Sequence, residues 1–136
     1  MDKFYIVRMP AKENEKPILL GTLSSGKKRR RYLYKPFNLD KYKYPRSSKP
    51  FVKKSPPHLL TSRTYDAGRP DISEILSSMN LDSYDPWKMV EIKEGRVMTD
   101  SLCYLTESGL EKYGLKELKL QYKELTNKRR KSFGKI

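Results

Sequence analysis

One stretch of this sequence, residues 71–125, carries enough regularly spaced apolar side chains to build a hydrophobic core. The residues before it are basic, interrupted by proline and rich in tyrosine, and a short basic tail follows it. A core of about 55 residues is near the lower practical limit for an independent domain. We therefore expect a basic extended arm over residues 1–70, a small helical interaction domain over residues 71–127 and a basic tail over residues 128–136.

The charge of the chain is distributed unevenly. Residues 1–69 contain 18 Lys and Arg against 5 Asp and Glu, residues 70–125 contain 7 against 11, and residues 126–136 contain 5 against none. The whole chain has a formal net charge of +14. Flanks of this kind predict contact with an anionic surface, which is nucleic acid, an acidic protein filament or anionic lipid.

Composition also narrows the class of protein. No run approaches the roughly 20 apolar residues that cross a bilayer, so we expect no membrane span. The first residues lack the apolar region of a secretory signal. Cys103 is the only cysteine, which excludes an internal disulfide and favours a reducing, intracellular setting. We expect a location in the cytoplasm or cytoskeleton, with the nucleus as the alternative.

The first 37 residues contain three short runs that predict strands. Residues 4–7 and residues 18–20 are rich in aromatic and branched apolar side chains, and a third run contains Tyr32, Tyr34 and Phe37. Such runs favour strands, and a three-stranded meander is one interpretation. Strands of this length are marginal without further packing.

Five adjacent cations separate the second run from the third. They are Lys27, Lys28, Arg29, Arg30 and Arg31. Like charges at this density repel one another and do not fit a packed face. The run is interpreted either as a solvated loop or as a nuclear localisation signal or anionic-surface contact.

Residues 39–70 are interrupted by proline, which removes backbone donors and predicts irregular structure without a helix. Aromatic and basic residues alternate there, although a disordered linker is normally poor in aromatic residues. This pattern favours an arm that uses its rings as interface anchors, and a disordered linker is the alternative. The candidate anchors are Tyr32, Tyr34, Tyr42, Tyr44 and Phe51.

The apolar spacing of residues 71–125 predicts a series of short helices. Asp71 begins the first, Pro86 begins the second, and Thr106 caps a later one that Gly114 closes. Between them, Asp100 is expected to cap a brief helix through residues 102–105. The last helix carries one apolar seam of Leu115, Leu118, Tyr122 and Leu125.

Two segments resemble sterile alpha motif (SAM) domains. Residues 72–84, ISEILSSMNLDSY, resemble the first helix of that family, which ends in a Gly-Leu-x-x-Tyr-like turn. Residues 102–115, LCYLTESGLEKYGL, are similar to its Leu-Leu-x-Leu-Thr-x-x-x-Leu-x-x-x-Gly-Ile segment. The helical spacing and the resemblance together predict a mainly α fold with a small orthogonal helical bundle. The composition of the preceding residues predicts a long, mostly irregular basic arm with two or three short strands. An unrelated helical bundle is the alternative.

The resemblance also implies protein interaction, often self-association between an acidic face and the basic start of the last helix. The acidic candidates are Asp82, Asp85, Glu91, Glu94 and Asp100. The basic candidates are Lys116, Lys119 and Lys123, to which the tail adds Lys128, Arg129 and Arg130. Some members of the family bind RNA hairpins instead. Cations at a helix end also suit the helix dipole without any partner.

The sequence argues against catalysis, metal binding and cofactor binding. His58 is the only histidine and stands in the proline-rich region, so no nucleophile–base arrangement is apparent. One Cys and one His do not supply a zinc site, and the glycines do not form a phosphate-binding loop. We therefore expect neither a catalytic residue nor a cofactor.

Two functions remain. The first is a structural adaptor that docks on an acidic protein assembly, for which the tubulin lattice of a cilium or flagellum is one example. The second is an RNA- or DNA-binding protein that uses the basic arm and tail on phosphates. A lipid-surface role ranks third because the arm lacks an amphipathic helix.

Overall fold

The computed structural model describes residues 2–26, 31–37 and 50–121. The complete elements within them, in chain order, are β1 (Asp2–Arg8), β2 (Ile18–Ser25), β3 (Tyr32–Pro36), β4 (Phe51–Lys53), α1 (His58–Thr61), α2 (Ile72–Ser78), α3 (Pro86–Lys93), β5 (Leu102–Leu105) and α4 (Glu107–Lys112). A further helical segment begins at Leu118 and is described as far as Gln121.

The strands form one antiparallel sheet in the order β4-β3-β2-β1-β5. Consecutive pairing of β1 to β4 makes a meander, and β5 returns from late in the chain to pair with β1. The strands predicted at residues 4–7 and 18–20 are confirmed, since they lie within β1 and β2. The pairing also joins β1 to β5 across residue 70, where the sequence suggested a domain boundary.

Both faces of the sheet carry a hydrophobic cluster, because alternate side chains of a strand point to opposite faces. The tryptophan cluster comprises Phe4, Ile6, Leu20, Leu23, Tyr32, Tyr34, Leu60, Trp87, Val90, Leu102 and Tyr104. The cysteine cluster comprises Tyr5, Val7, Leu19, Phe37, Cys103, Leu105, Leu110 and Leu118. Helices α1 and α3 contribute to the first cluster, while α4 and the segment at Leu118 contribute to the second.

The predicted fold class, a mainly α SAM-like bundle, is wrong. Residues 102–105, which were expected to form a brief helix, are strand β5. Leu102 and Tyr104 enter the tryptophan cluster, whereas Cys103 and Leu105 enter the cysteine cluster. A short run that is apolar at every position suits a strand buried on both faces. Leu102 and Leu110, expected in one helical core, therefore lie in different clusters.

The long irregular arm of that prediction is also wrong for the described residues before position 70. They contain four strands and the helix α1. Two of the rings that were expected to project from an arm, those of Tyr32 and Tyr34, are buried in the core. Helix α1 begins directly after Pro57, which is its N-cap. Proline is tolerated there because the first amides of a helix have no intrahelical partner. The prolines therefore precede the helix instead of preventing it.

Several predicted helix ends are confirmed. The Asp85 carboxylate accepts a hydrogen bond from the Lys88 amide at 3.2 Å and caps α3. The Thr106 hydroxyl accepts one from the Gly109 amide at 3.2 Å and caps α4. Asp71 precedes α2 as predicted but makes no capping bond, because Arg69 occupies its carboxylate.

We expect Gly95→Ala to lower the free energy of unfolding by about 1–3 kcal/mol. Gly95 has φ +63°, and a Cβ atom there would lie 2.9 Å from the Cβ and Cγ atoms of Tyr104. Tyr104 cannot retreat easily, since it is buried and its hydroxyl donates to the Leu59 carbonyl at 2.7 Å. Urea denaturation followed by circular dichroism measures the loss.

Gly68→Ala is the matched control for this prediction. A Cβ atom at Gly68 would meet no heavy atom within 4 Å, so its effect should stay within about 0.5 kcal/mol. Equal stability of the two variants would contradict the close approach of Gly95 to Tyr104.

Candidate anion-binding surface

The predicted basic run interrupts the hairpin formed by β2 and β3. Residues 27–30 of the run lie outside the described residues, and Arg31 is described and exposed. The Gly26 amide donates to the Arg31 carbonyl at 2.8 Å. The backbone on the two sides of residues 27–30 is thereby held together at one end of the sheet.

Strand register brings further cations to the same end. Lys53 of β4 pairs with Tyr32, the first residue of β3. Lys3 of β1 pairs with Ser24, close to the end of β2. We call Lys3, Arg31, Lys53 and Lys54 the cationic end of the sheet. Asp2 lies at this end as well, and the carboxylate of Glu107 interacts with the charge of Lys3. The four cations still give this end a net positive charge before residues 27–30 are counted.

The cations beside the start of β3 and at the end of β4 are accessible to solvent. Arg31, Lys53 and Lys54 are exposed, and Lys3 is partly exposed. The ammonium of Lys53 lies 5.1 Å from the ring centroid of Phe51. Within the described part of the chain, no carboxylate forms an ion pair with Arg31, Lys53 or Lys54. These three charges are therefore available to an external anion.

The rings predicted as partner anchors have different positions. Tyr32 is 3% exposed and Tyr34 is 0% exposed, and both belong to the tryptophan cluster. Phe51 is partly buried, and its ring centroid lies 5.1 Å from that of Tyr34. Tyr42 and Tyr44 lie outside the described residues. Tyr32 and Tyr34 therefore stabilise the sheet, and we do not place them on the binding surface.

The lysines predicted near the last helix pair with acidic residues of this chain. Lys116 lies 3.3 Å from Glu111, and Lys119 lies 2.5 Å from Glu107. The hydrogen bond between Lys119 and Glu107 raises the pKa of the lysine and lowers the pKa of the glutamic acid. The remaining candidates, Lys123, Lys128, Arg129 and Arg130, lie outside the described residues.

Asp100, predicted to belong to an acidic interaction face, binds a buried arginine instead. The guanidinium of Arg63 donates to both carboxylate oxygens at 2.6 and 2.8 Å, and its side chain is 2% exposed. It also donates to the Gly95 carbonyl at 3.3 Å and lies 5.3 Å from the Tyr104 ring centroid. This ion pair links the segment after α1 to the residues before β5.

The same ion pair changes the acidity of Asp100. Burial alone would raise the pKa of this carboxyl. Hydrogen bonds from Arg63 and from the Leu102 amide, together with the charge of Arg63, outweigh burial and lower the pKa below its ordinary value. Asp100 is therefore ionised, and its charge stabilises the fold through the ion pair with Arg63.

Two other acidic candidates also have partners within the chain. Asp85 caps α3. Glu94 accepts a hydrogen bond from the Tyr113 hydroxyl at 2.5 Å and another from Arg96 at 3.4 Å. Asp82 and Glu91 are exposed. Of the five predicted acidic candidates, three therefore make contacts within the chain and two are exposed to solvent.

The histidine and the cysteine of this chain, residue types that often bind metals or take part in catalysis, lie in different parts of the fold. His58 is exposed at the start of α1, while Cys103 is 1% exposed. Burial raises the pKa of the Cys103 thiol. In the described ranges, no group of three or more His, Cys, Asp or Glu residues is positioned to hold a metal ion. No described helix is both long enough and apolar enough to cross a membrane.

Sequence reasoning missed Lys3, Lys53 and Lys54 as members of the surface. Lys53 and Lys54 directly follow the apolar pair Phe51 and Val52, which is the available signal for a strand that ends in cations. Their neighbourhood with Arg31 depends on the pairing of β4 with β3, and that register is not readable from local spacing.

Comparison with protein-family models, with curated proteins and with solved structures gives no match for this chain. The resemblance to SAM domains is therefore supported neither by the fold nor by a family match.

Proposed function

We propose that this chain is a non-catalytic docking protein that binds an acidic protein surface through the cationic end of its sheet. The observation that carries the proposal is the register that places Lys3, Arg31, Lys53 and Lys54 around the ends of β1, β3 and β4. The strongly basic residues 27–30 connect the end of β2 to the start of β3. A concentrated positive patch raises the association rate and the selectivity for anionic partners.

The positions of the aromatic rings favour an acidic protein over nucleic acid as the partner. Proteins that bind single-stranded nucleic acid without a sequence motif stack bases on exposed aromatic rings. Tyr32 and Tyr34 lie in the tryptophan cluster. Phe51, whose ring lies 5.1 Å from the Lys53 ammonium, is partly buried against Tyr34. Carboxylates on a protein need only the cations, which the surface supplies.

The proposal does not require a filament. The filament hypothesis depended on an extended basic arm with projecting aromatic anchors. The described residues before position 70 are instead folded into β1 to β4 and α1. The surface is compact, so a local cluster of acidic side chains on a partner is sufficient.

We expect Lys53→Gln combined with Lys54→Gln to weaken binding to polyglutamate by about three- to tenfold, since exposed ion pairs each contribute roughly 0.2–1 kcal/mol. Fluorescence anisotropy of labelled polyglutamate, titrated with the full chain at low ionic strength, measures this change. Raising the salt concentration should reduce the difference, because exposed charges are screened.

The matched control removes the same charge from the opposite end of the sheet. Lys12 and Lys16 are exposed in the connection from β1 to β2. Lys12→Gln combined with Lys16→Gln should change the affinity less than about twofold if position matters beyond net charge. Equal losses from both pairs would contradict a localised site. Tighter binding to single-stranded DNA than to polyglutamate would favour the nucleic-acid alternative instead.

A further inference from the structure

Strand β4 (Phe51–Lys53) is at one edge of the sheet. It pairs with β3 on one side, and no described strand pairs with its other side. An edge strand presents backbone donors and acceptors that can accept a further strand. The described structure therefore contains a template for strand addition directly beside the cationic end.

The opposite edge differs from β4. All four residues of β5 are buried. The Tyr104 amide donates to the Glu94 carbonyl at 2.7 Å, so the polypeptide before β5 uses part of that edge. In the described chain, β4 is thus the more accessible of the two edges.

Val52 gives the β4 edge an apolar contact point. It is 62% exposed, although valine is a strand residue that normally packs against neighbours. Val52 pairs with Leu33 of β3, which is partly buried, and Lys35 of β3 projects from the same face two residues later. An incoming strand would find one apolar side chain among cations.

The charge of the edge selects the kind of strand that it can accept. A second copy of β4 would bring its own Lys53 and Lys54 and would be repelled. Natural edge strands use lysine in this way to prevent self-pairing. A strand with acidic side chains would instead be attracted, and discrimination of this kind combines attraction with repulsion.

We propose that the outer edge of β4 binds an extended acidic segment of the partner protein by strand addition, with an apolar side chain of that segment against Val52. This inference rests on the proposed function and deepens it, because it names the conformation of the acidic partner. Main-chain hydrogen bonds supply affinity, and the side chains of alternate residues supply selectivity.

Two octapeptides of equal charge test the inference against the full chain. One alternates Glu with Val, and the other has the same sequence with every backbone nitrogen methylated, which removes the amide donors that a ladder requires from both edges of the peptide. We expect the unmethylated Glu–Val peptide to bind about tenfold more tightly, because the methylated peptide cannot donate these backbone hydrogen bonds. Amide hydrogen exchange should slow at the β4 amides that point away from β3, and only with the unmethylated Glu–Val peptide.

Substitution at Val52 provides the variant and its control. Val52→Glu removes the apolar contact and repels the peptide, so the preference for the unmethylated peptide should be lost. Val52→Thr keeps a branched side chain suited to a strand, so the preference should persist.

The peptide experiments distinguish a failure of strand addition from a failure of the proposed function. Equal binding of both octapeptides without slower exchange overturns strand addition, while binding of polyglutamate at the cationic end would stand. If neither the octapeptides nor polyglutamate bind, both proposals fall. A dimer in analytical ultracentrifugation that Val52→Glu abolishes, with no response to peptide, would show that β4 pairs with a second copy and would overturn the choice of an acidic partner.

Discussion

Replacing Trp87 with Ala is expected to lower the free energy of unfolding by about 3–5 kcal/mol, the usual loss when a buried aromatic residue is truncated. Trp87 is 1% exposed on α3, and its ring stacks on Phe4 with centroids 4.2 Å apart and planes at 23°. Its ring centroid is 6.2 Å from that of Tyr32. The substitution therefore removes contacts to β1 and β3 together and leaves a cavity between helix and sheet.

Urea denaturation followed by circular dichroism is the suitable measurement. Trp87 is the only tryptophan, so the variant has no tryptophan fluorescence with which to follow unfolding. Met98 is fully exposed, so Met98→Ala is a control for truncation outside the core and should stay within about 0.5 kcal/mol. A loss at Trp87 no larger than at Met98 would contradict the packing of α3 on the sheet.

Replacing Arg63 with Ala is expected to cost about 3–5 kcal/mol, because one partner of a buried ion pair is removed and the other is left uncompensated. Arg63 is nearly inaccessible to solvent, and Asp100 is 30% exposed on its side chain. The partial exposure of Asp100 favours the lower part of that range, since water can solvate the remaining carboxylate.

A double variant separates the ion pair from the packing of Arg63. Arg63→Met combined with Asp100→Leu removes both charges and keeps apolar volume, so it should be more stable than Arg63→Ala. The same urea experiment measures all variants. A double variant as unstable as Arg63→Ala would show that the hydrogen bond to Gly95 and the contact with Tyr104 dominate over the charge pair.

The ion pair also gives stability a pH dependence with a defined sign. The pKa of Asp100 is lowered in the folded protein, so the stabilisation is complete above the unfolded pKa of about 3.9 and is lost as the pH falls through the folded value. The Arg63 variants should therefore lose stability less steeply than the native protein below about pH 4.

Local sequence patterns predicted the elements whose signals are local. The strands at residues 4–7 and 18–20 follow from their composition, and the starts of α3 and α4 follow from Asp85 and Thr106. Capping depends on residues three positions apart, so it is readable without knowledge of the fold. These local predictions were correct because no contact with a distant part of the chain opposed them.

The architecture was not predictable in the same way. Strand β5 pairs with β1, from which it is separated by nearly the whole described chain. A short run of apolar residues can form either a buried helix or a strand buried on both faces. The spacing of the residues therefore does not distinguish the two. The surrounding helix signals, which are correct for α3 and α4, biased the interpretation of Leu102–Leu105 towards a helix.

The candidate surface was predicted in part. The basic run before Tyr32 is evident from composition, whereas the approach of Lys53 to Tyr32 depends on strand register. Tyr32 and Tyr34 were predicted both to form part of a third strand and to bind a partner. They lie in β3 with their rings in the core, so the strand prediction applies to them and the partner contact does not.

The position of β1 between β2 and the late strand β5 has a consequence for synthesis of the protein. A ribosome releases the meander of β1 to β4 long before it has made Leu102–Leu105, so β1 has one unsatisfied edge throughout most of translation. Pairing between distant segments folds slowly and leaves apolar strands open to aggregation in the meantime. We therefore expect a chain truncated before β5 to leave one edge of β1 unpaired and to aggregate more readily than the full chain.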